Sequence, residues 1–227
     1  MMTRRRIKAA RPQLVGVIAY TADLNVAVAM ERPPDLFELR LDCLFPVTNR
    51  LEKKIFRLRA PLLITARDPR EGGANSLAFP ARHDLLLRFL PRARFIDVEL
   101  RSADRFKSLM DDAKNQKTRR ILSYHNFQAT PSLHSLNAKA KRAKGMGADV
   151  FKVATRIDTH AALARLVDFI GGNDSGLPIS AMGIGTLGAI SRLLLARAGS
   201  VLNYAALTHP NVEGQLSIEV MRSALPR

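Results

Sequence analysis

Eight short apolar runs alternate along the chain with segments of helical amphipathicity. The runs cover 14–19, 35–41, 61–65, 94–100, 120–125, 149–154, 177–182 and 200–205. Apolar residues at helical spacing mark the segments 82–90, 133–146, 160–170 and 188–198. Strand-length runs that alternate with helices predict parallel strands joined by helical crossovers. Eight such units in 227 residues predict an α/β fold, a (β/α)8 TIM barrel.

A doubly wound open sheet is the alternative arrangement of the same elements. Its dinucleotide-binding variant carries a G-x-G-x-x-G turn after the first strand. No such turn follows the run 14–19. The barrel is therefore the preferred prediction.

The first eleven residues differ in composition from the rest of the chain. Residues 1–11 read MMTRRRIKAAR, with many cations and no acid, and we expect a disordered basic tail there. No long apolar stretch follows it, so the segment is not predicted to be a secretory signal. An organelle-targeting segment is the other interpretation of an arginine-rich start. Residues 12–227 are predicted to form a single catalytic domain.

Cysteine content and hydropathy exclude several classes of protein. The chain has one cysteine, Cys43, which excludes an intramolecular disulfide and a cysteine-based metal site. No run approaches the roughly 20 apolar residues of a membrane helix. H-E-x-x-H and clusters of carboxylates and histidines at ligand spacing are lacking as well. We expect a cytoplasmic protein that needs no metal and no cofactor.

The net charge of +16 calls for an explanation. Nucleic acid, an acidic membrane surface and an anionic substrate would each suit such a charge. The basic residues are spread along the chain, aromatic residues make up 6% of it, and tryptophan is missing, which disfavours a base-stacking platform. We expect a solvated basic surface on an enzyme with an anionic small-molecule substrate, rather than a nucleic-acid partner.

Ionisable residues, together with one glutamine, collect where the apolar runs end. In a TIM barrel the carboxyl ends of the strands form the reactive face. Each residue alone fits a structural role, such as an ion pair that closes the barrel, but together they predict a site. The candidates at the run ends and in the loops that follow are Glu38, Arg40, Arg67, Glu71, Asp97, Glu99, His125, Lys152, Arg192 and Gln215.

Lys152 is the candidate nucleophile, because it interrupts an apolar run at a position where an unpaired ammonium group is costly. A lysine among apolar residues and other cations loses proton affinity, and a neutral amine can form a Schiff base with a ketone. His125 has an intrinsic pKa suited to removing the proton next to that imine and later protonating a leaving group. Glu71 can orient the imidazole, while Arg67 and Arg192 can hold a substrate carboxylate.

Six motifs in this order resemble the type I 3-dehydroquinate dehydratases, the Schiff-base class of that shikimate-pathway enzyme. The resemblance runs from about Pro12 to the end of the chain. The motifs are ELRLD (38–42), TARDPREGG (65–73), SYHNF (123–127), FKVAT (151–155), IGTLGAISR (184–192) and VEGQLS (212–217).

The resemblance implies a homodimeric barrel that dehydrates 3-dehydroquinate to 3-dehydroshikimate in aromatic amino acid biosynthesis. It implies that Lys152 forms the imine, that His125 acts as general base and then acid, and that Glu71 positions His125. It assigns the binding of substrate hydroxyls and carboxylate to Glu38, Arg40, Arg67, Arg192 and Gln215.

The chain departs from the family pattern near the inferred site. Asn126 stands where the family has Asp, Ile184 where it has Met, Asn211 where a Ser is common, and Val212-Glu213 where Ala-Pro is usual. Two alternative functions stay open from the sequence. One is another Schiff-base barrel lyase, such as an aldolase, and the other is a basic nucleic-acid-binding relative with weakened catalysis.

Overall fold

All eight apolar runs form parallel β-strands in the structure, a computed structural model that describes residues 11–225. The strands are β1 (Gln13–Ile18), β2 (Leu36–Arg40), β3 (Leu62–Thr65), β4 (Ala93–Glu99), β5 (Arg119–Asn126), β6 (Val150–Arg156), β7 (Ile179–Ile184) and β8 (Leu202–Ala206). Their bounds differ from the predicted runs by one or two residues. The predicted basic tail, 1–11, lies outside the described residues apart from Arg11.

Within residues 11–225, eight α-helices alternate with these strands, so the (β/α)8 prediction is confirmed. They are α1 (Thr21–Ala29), α2 (Thr48–Ile55), α3 (Phe79–Phe89), α4 (Lys107–Asn115), α5 (Leu133–Gly145), α6 (His160–Gly172), α7 (Gly188–Ala198) and α8 (Ile218–Ala224). The amphipathic segments located from the sequence correspond to α3, α5, α6 and α7. The other four have only 7–9 residues, and about two turns show too few repeats of the helical period to stand out.

The strands pair in the order β8-β1-β2-β3-β4-β5-β6-β7. β1 joins the two ends of the sequence, because Gln13 pairs with Leu202 of β8 and Val15 pairs with Leu36 of β2. The order leaves β7 and β8 at the ends of the sheet, and the seam between them closes the barrel.

Buried serine hydroxyls bridge that seam. Ser200 Oγ accepts a hydrogen bond from Ala181 N (3.0 Å) and donates to Ala181 O (3.2 Å), while Ser180 Oγ donates to Leu202 O (2.8 Å). Val201 N also donates to Ile179 O at 2.9 Å. Side-chain hydrogen bonds therefore supplement the backbone bonds between β7 and β8, which form no regular ladder.

The barrel interior is arranged in layers. Alternate side chains of a strand face inward. The innermost residues at the amino ends of the strands are apolar and buried: Leu36, Leu63, Phe95, Ile121, Val150 and Leu202. Two positions later the inward residues carry polar groups: Glu38, Thr65, Asp97, Ser123, Lys152 and Tyr204. The apolar layer forms a floor, and the polar layer above it faces the carboxyl ends of the strands.

Within residues 11–225, no helix is both long and apolar enough to cross a membrane.

Replacing Ser200 with alanine tests the seam. The Ser200→Ala variant leaves the buried Ala181 N–H without its acceptor, so the free energy of unfolding should fall by about 1–3 kcal/mol. Urea denaturation monitored by circular dichroism measures the change. Ser223→Ala, at an exposed serine of α8, is the control and should stay within about 0.5 kcal/mol of the parent. Equal stability of both variants would contradict a structural role for the seam.

Candidate active site

One cavity at the carboxyl ends of the strands brings together every residue to which the family resemblance assigns a role, while the candidates Asp97 and Glu99 lie outside its lining. The residues that line it include Glu38, Arg40, Arg67, Glu71, His125, Lys152, Arg192 and Gln215. They come from β2, from the segment after β3, from β5 and β6, from α7 and from the segment after β8. The structure thus places them together, while their individual roles stay predictions.

Lys152 lies at the bottom of this cavity with its side chain 5% exposed. Its Nζ is 2.9 Å from Asp97 Oδ2 and 3.6 Å from Glu38 Oε1, and it lies 4.1 Å from the ring centroid of Tyr204. Buried charges need partners of this kind, since an unpaired ammonium would carry the full desolvation cost. The sequence predicts apolar groups and cations around Lys152, whereas its closest partners are two carboxylates and an aromatic face.

Asp97 belongs to a buried network of alternating charges. Arg67 binds the Asp97 carboxylate with both Nη atoms, at 2.9 and 3.2 Å, and also donates to Glu99 at 3.0 Å. Arg82 of α3 pairs with the other oxygen of Glu99. Burial alone would raise the pKa of Asp97, but Arg67 and Lys152 outweigh it and hold that pKa well below its usual range. Asp97 therefore stays ionised beside the amine.

Arg67 lines the cavity, but its guanidinium is largely engaged with the protein. Besides the two carboxylates, Nη1 donates to Ser123 Oγ at 2.7 Å. Burial opposes its charge, yet Asp97 and Glu99 outweigh burial and raise the pKa of Arg67 above its usual value. Arg67 thus contacts Asp97, the carboxylate that pairs with Lys152. The substrate contact predicted for Arg67 would come in addition to this one.

His125 and Glu71 form a buried pair. Glu71 Oε2 lies 2.9 Å from His125 Nδ1 and also accepts the backbone N–H of His125 at 3.0 Å. When Glu71 is ionised, Nδ1 carries the proton that it donates, and Nε2 keeps a free lone pair. The two contacts together fix the orientation of the ring.

Burial shifts the pKa values of both members of this pair. Burial, together with the positive charges of Arg67 and Lys152, holds the pKa of His125 well below 6.5. Burial also raises the pKa of Glu71 to about 7, although the charge of Arg67 opposes it. The imidazole is therefore neutral at pH 7, which is the state that a general base requires.

Arg192 of α7 is a buried guanidinium that pairs with no carboxylate of residues 11–225. Its Nη1 donates to the backbone carbonyl of Tyr204 at 3.1 Å, and its Nε has no hydrogen-bond partner within that range. Burial lowers its pKa to about 10, so it remains charged near neutral pH. A cation buried without a counter-ion is arranged to receive an anion from outside the protein.

Arg40 and Glu38 form hydrogen bonds that connect β2 to β3 and to the loop after it. Arg40 donates to Asp42 at 2.8 and 3.0 Å and to Gly72 O at 3.3 Å, which connects β2 to the loop after β3. Glu38 accepts from Thr65 Oγ1 at 2.8 Å.

Gln215 lies in the loop after β8, which packs closely on the start of α7. The Gln215 Oε1 accepts from Asn211 N at 2.7 Å. Gly214 has a φ of +80°, and a Cβ there would lie 2.6 Å from Gly188 Cα. Glycine at 214 therefore allows the approach that brings Gln215 to the cavity beside Arg192.

Two departures from the family pattern point away from the reacting groups. Asn126 Oδ1 accepts from Gln128 N and Ala129 N, at 2.9 and 3.1 Å, and its Nδ2 donates to the Tyr124 hydroxyl at 3.2 Å. The exposed Glu213 carboxylate lies 3.7 Å from Arg156. Asn126 therefore orders a loop, and Glu213 places its charge outside the cavity. Asn211, Val212 and Ile184 do line the cavity.

Asp97 has no assigned role in the prediction from the sequence, and Tyr204 is absent from that prediction. Both occupy inward positions two residues after a floor residue of their strand, namely Phe95 and Leu202. Period-two alternation in β4 and β8 was the signal that could have found them.

Among residues 11–225, no group of three or more His, Cys, Asp or Glu side chains is arranged to hold a metal ion.

Comparison with known proteins finds relatives over most of the chain. The chain is 34% identical over 226 residues to the 3-dehydroquinate dehydratase of Shouchella clausii, which covers 93% of this chain and 88% of the relative. It is 33% identical over 201 residues to the bifunctional 3-dehydroquinate dehydratase/shikimate dehydrogenase of Arabidopsis thaliana, covering 86% of this chain and 33% of that protein.

Solved structures show the same fold. The 3-dehydroquinate dehydratase of Geobacillus kaustophilus superposes with a TM-score of 0.85 at 25% identity, over 95% of this chain and 90% of that one. The type I enzyme of Clostridium difficile also superposes with a TM-score of 0.85, at 23% identity, over 95% of this chain and 91% of that one.

The family model described as type I 3-dehydroquinase matches residues 16–226. With that match over most of its length, the chain belongs to the type I 3-dehydroquinase family.

Proposed function

We propose that this hydro-lyase removes water from 3-dehydroquinate, giving 3-dehydroshikimate, through an imine on Lys152 with His125 as general base and acid. The observation that carries the proposal is one cavity that holds a buried amine, a neutral imidazole and an unpaired guanidinium. The three groups match the ketone, the acidic C–H and the carboxylate of this substrate. Catalysis of this kind needs all three within reach of a single bound molecule.

Imine formation is the first step. Nζ of Lys152 gives up a proton and adds to the substrate ketone, and that proton leaves with the ketone oxygen as water, so that a protonated imine remains. Asp97, at 2.9 Å from Nζ, is placed to stabilise the positive charge of the imine. Asp97 stays ionised because of Arg67, so a negative charge accompanies the nitrogen throughout.

Proton removal and loss of hydroxide follow. His125 Nε2 takes the proton from the carbon next to the imine, and the electron pair moves into an enamine. The enamine then expels the hydroxyl group one carbon further along, which leaves as water with the proton returned by His125. Water finally hydrolyses the imine and frees Lys152.

Imine trapping tests the role of Lys152. Sodium borohydride added with 3-dehydroquinate should attach the reduced ligand to the peptide that contains Lys152, as measured by mass spectrometry of a digest. Lys152→Ala should lose the adduct and at least about 1000-fold in kcat, because the nucleophile is gone. Lys107→Ala, at an exposed lysine of α4, should keep both. An unlabelled Lys152 in folded parent protein would refute the mechanism.

The acid limb of the pH profile should report Glu71. Since the pKa of Glu71 is raised to about 7 and that of His125 lies well below 6.5, kcat should rise with pH through about 7 as Glu71 ionises. Glu71→Gln should lower kcat by about 10-fold or more and remove this limb. Glu219→Gln, at an exposed residue of α8, should keep the parent profile. A limb near 7 that persists in Glu71→Gln would exclude Glu71 as its source.

Arg192 should contribute mainly to substrate affinity. Arg192→Met should raise KM for 3-dehydroquinate about 10- to 100-fold, the effect of losing a charged hydrogen bond. Thermal unfolding of the ligand-free variant should occur at the parent temperature or above it, because a buried unpaired charge is removed. Arg197→Met, at an exposed arginine of the same helix, is the control. An unchanged KM in Arg192→Met would remove the carboxylate contact from the proposal.

A further inference from the structure

Tyr204 of β8 touches two groups of the site without having a role in it so far. Its ring lines the cavity and is 4% exposed, and its centroid lies 4.1 Å from Lys152 Nζ. Its backbone carbonyl accepts the hydrogen bond of Arg192 Nη1. The residue therefore lies between the amine and the guanidinium that are proposed to bind the ketone and the carboxylate.

The Tyr204 hydroxyl is buried without a hydrogen-bond partner among residues 11–225. Three side chains in that range have such an atom: Asn137 Oδ1, Arg192 Nε and Tyr204 Oη. Two of these three belong to residues that line the same cavity. A buried hydroxyl without a partner destabilises the folded state, and a phenylalanine ring would fill the same space without that cost. The hydroxyl is therefore a group whose partner is to be sought outside the chain.

The surroundings of Tyr204 keep this hydroxyl protonated. Burial, together with the negative charges of Glu38 and Asp97, holds the pKa of Tyr204 well above 10, against the weaker influence of Arg67. At neutral pH the group is thus a hydrogen-bond donor that is influenced by the negative charges of Glu38 and Asp97. An oxygen of a bound molecule is the partner that such a donor fits.

We propose that Tyr204 is a specificity-determining residue, whose hydroxyl donates a hydrogen bond to a ring hydroxyl of the bound substrate next to the imine on Lys152. The inference rests on the proposed function, since it takes the ligand to be a polyhydroxylated cyclic keto acid. It adds a contact to those assigned from the sequence. A site with a buried polar group of this kind discriminates strongly against analogues that leave the group unpaired.

Tyr204→Phe removes one oxygen and keeps the ring, so it separates the hydroxyl from the packing. We expect kcat/KM for 3-dehydroquinate to fall about 10-fold, mostly through KM, because one buried hydrogen bond to the substrate is lost. The thermal midpoint of the ligand-free variant should equal or exceed that of the parent, because an unpaired buried group is gone. Tyr20→Phe, at a half-exposed tyrosine, is the control and should change neither quantity.

Two substrate analogues, each without one ring hydroxyl, identify the partner of Tyr204. For the analogue that lacks the partner, the parent should lose about as much kcat/KM as Tyr204→Phe loses with the full substrate. Tyr204→Phe should then lose little more with that analogue, because the bond is already absent. If the loss of kcat/KM caused by Tyr204→Phe and the loss caused by the missing hydroxyl add up for both analogues, the inference is overturned.

The outcomes also separate this inference from the proposed function. A parent protein that forms no borohydride adduct with 3-dehydroquinate refutes the mechanism, and the inference falls with it. A parent that forms the adduct, beside a Tyr204→Phe variant with parental KM, refutes the inference alone. If the hydroxyl bonds only to a buried water, Tyr204→Phe keeps the parental KM, and the inference is refuted in this way. A lower thermal midpoint with unchanged KM would assign the hydroxyl to folding and would equally overturn the inference.

Discussion

The buried contact between Lys152 and Asp97 is the interaction on which the rest of the site depends. An amine in the interior of a barrel needs a counter-charge, and Asp97 supplies it at 2.9 Å. That carboxylate would in turn be costly to bury, and two hydrogen bonds from Arg67 stabilise it. Glu99 and Arg82 continue the alternation of charge outward to α3. Because each charge is compensated by the next, loss of one member would leave another buried without a partner.

The barrel explains how such a network can exist inside a folded protein. Six of the eight strands contribute an apolar residue to the floor before they contribute a polar one to the site, as Phe95 precedes Asp97 and Val150 precedes Lys152. Burial of the apolar floor offsets the free-energy cost of burying the polar layer. The floor also keeps the amino-end side of the cavity closed. The cavity with the reactive groups therefore opens towards the loops, where residues such as Gln215 can contact a ligand.

The sequence alone predicted most of this arrangement, for physical reasons that differ between residues. The period of the apolar runs was enough for the barrel, and Lys152 stood out because a charge within an apolar run is costly. Asp97 was visible as a charged inward residue, but its contact with Lys152 depends on side chains 55 positions apart that meet only across the barrel. Arg67 was predicted to bind a carboxylate, and the sequence could not show that Asp97 and Glu99 already occupy much of its guanidinium. Tyr204 was overlooked because an aromatic residue in a strand is usual in any core.

The pairing of β1 with β8 has a consequence for the order in which the protein can become active during synthesis. Gln13 and Leu202 are neighbours in the sheet, and Asn203 donates to the Gln13 carbonyl across 190 positions of sequence. A ribosome releases β1 long before β8, so the first strand waits with one edge uncovered. Tyr204, Arg192 and Gln215 all arrive with the last quarter of the chain. A nascent chain that already contains Lys152 and His125 therefore has its amine and its base, but neither the closing strand nor the groups that would hold a substrate against them.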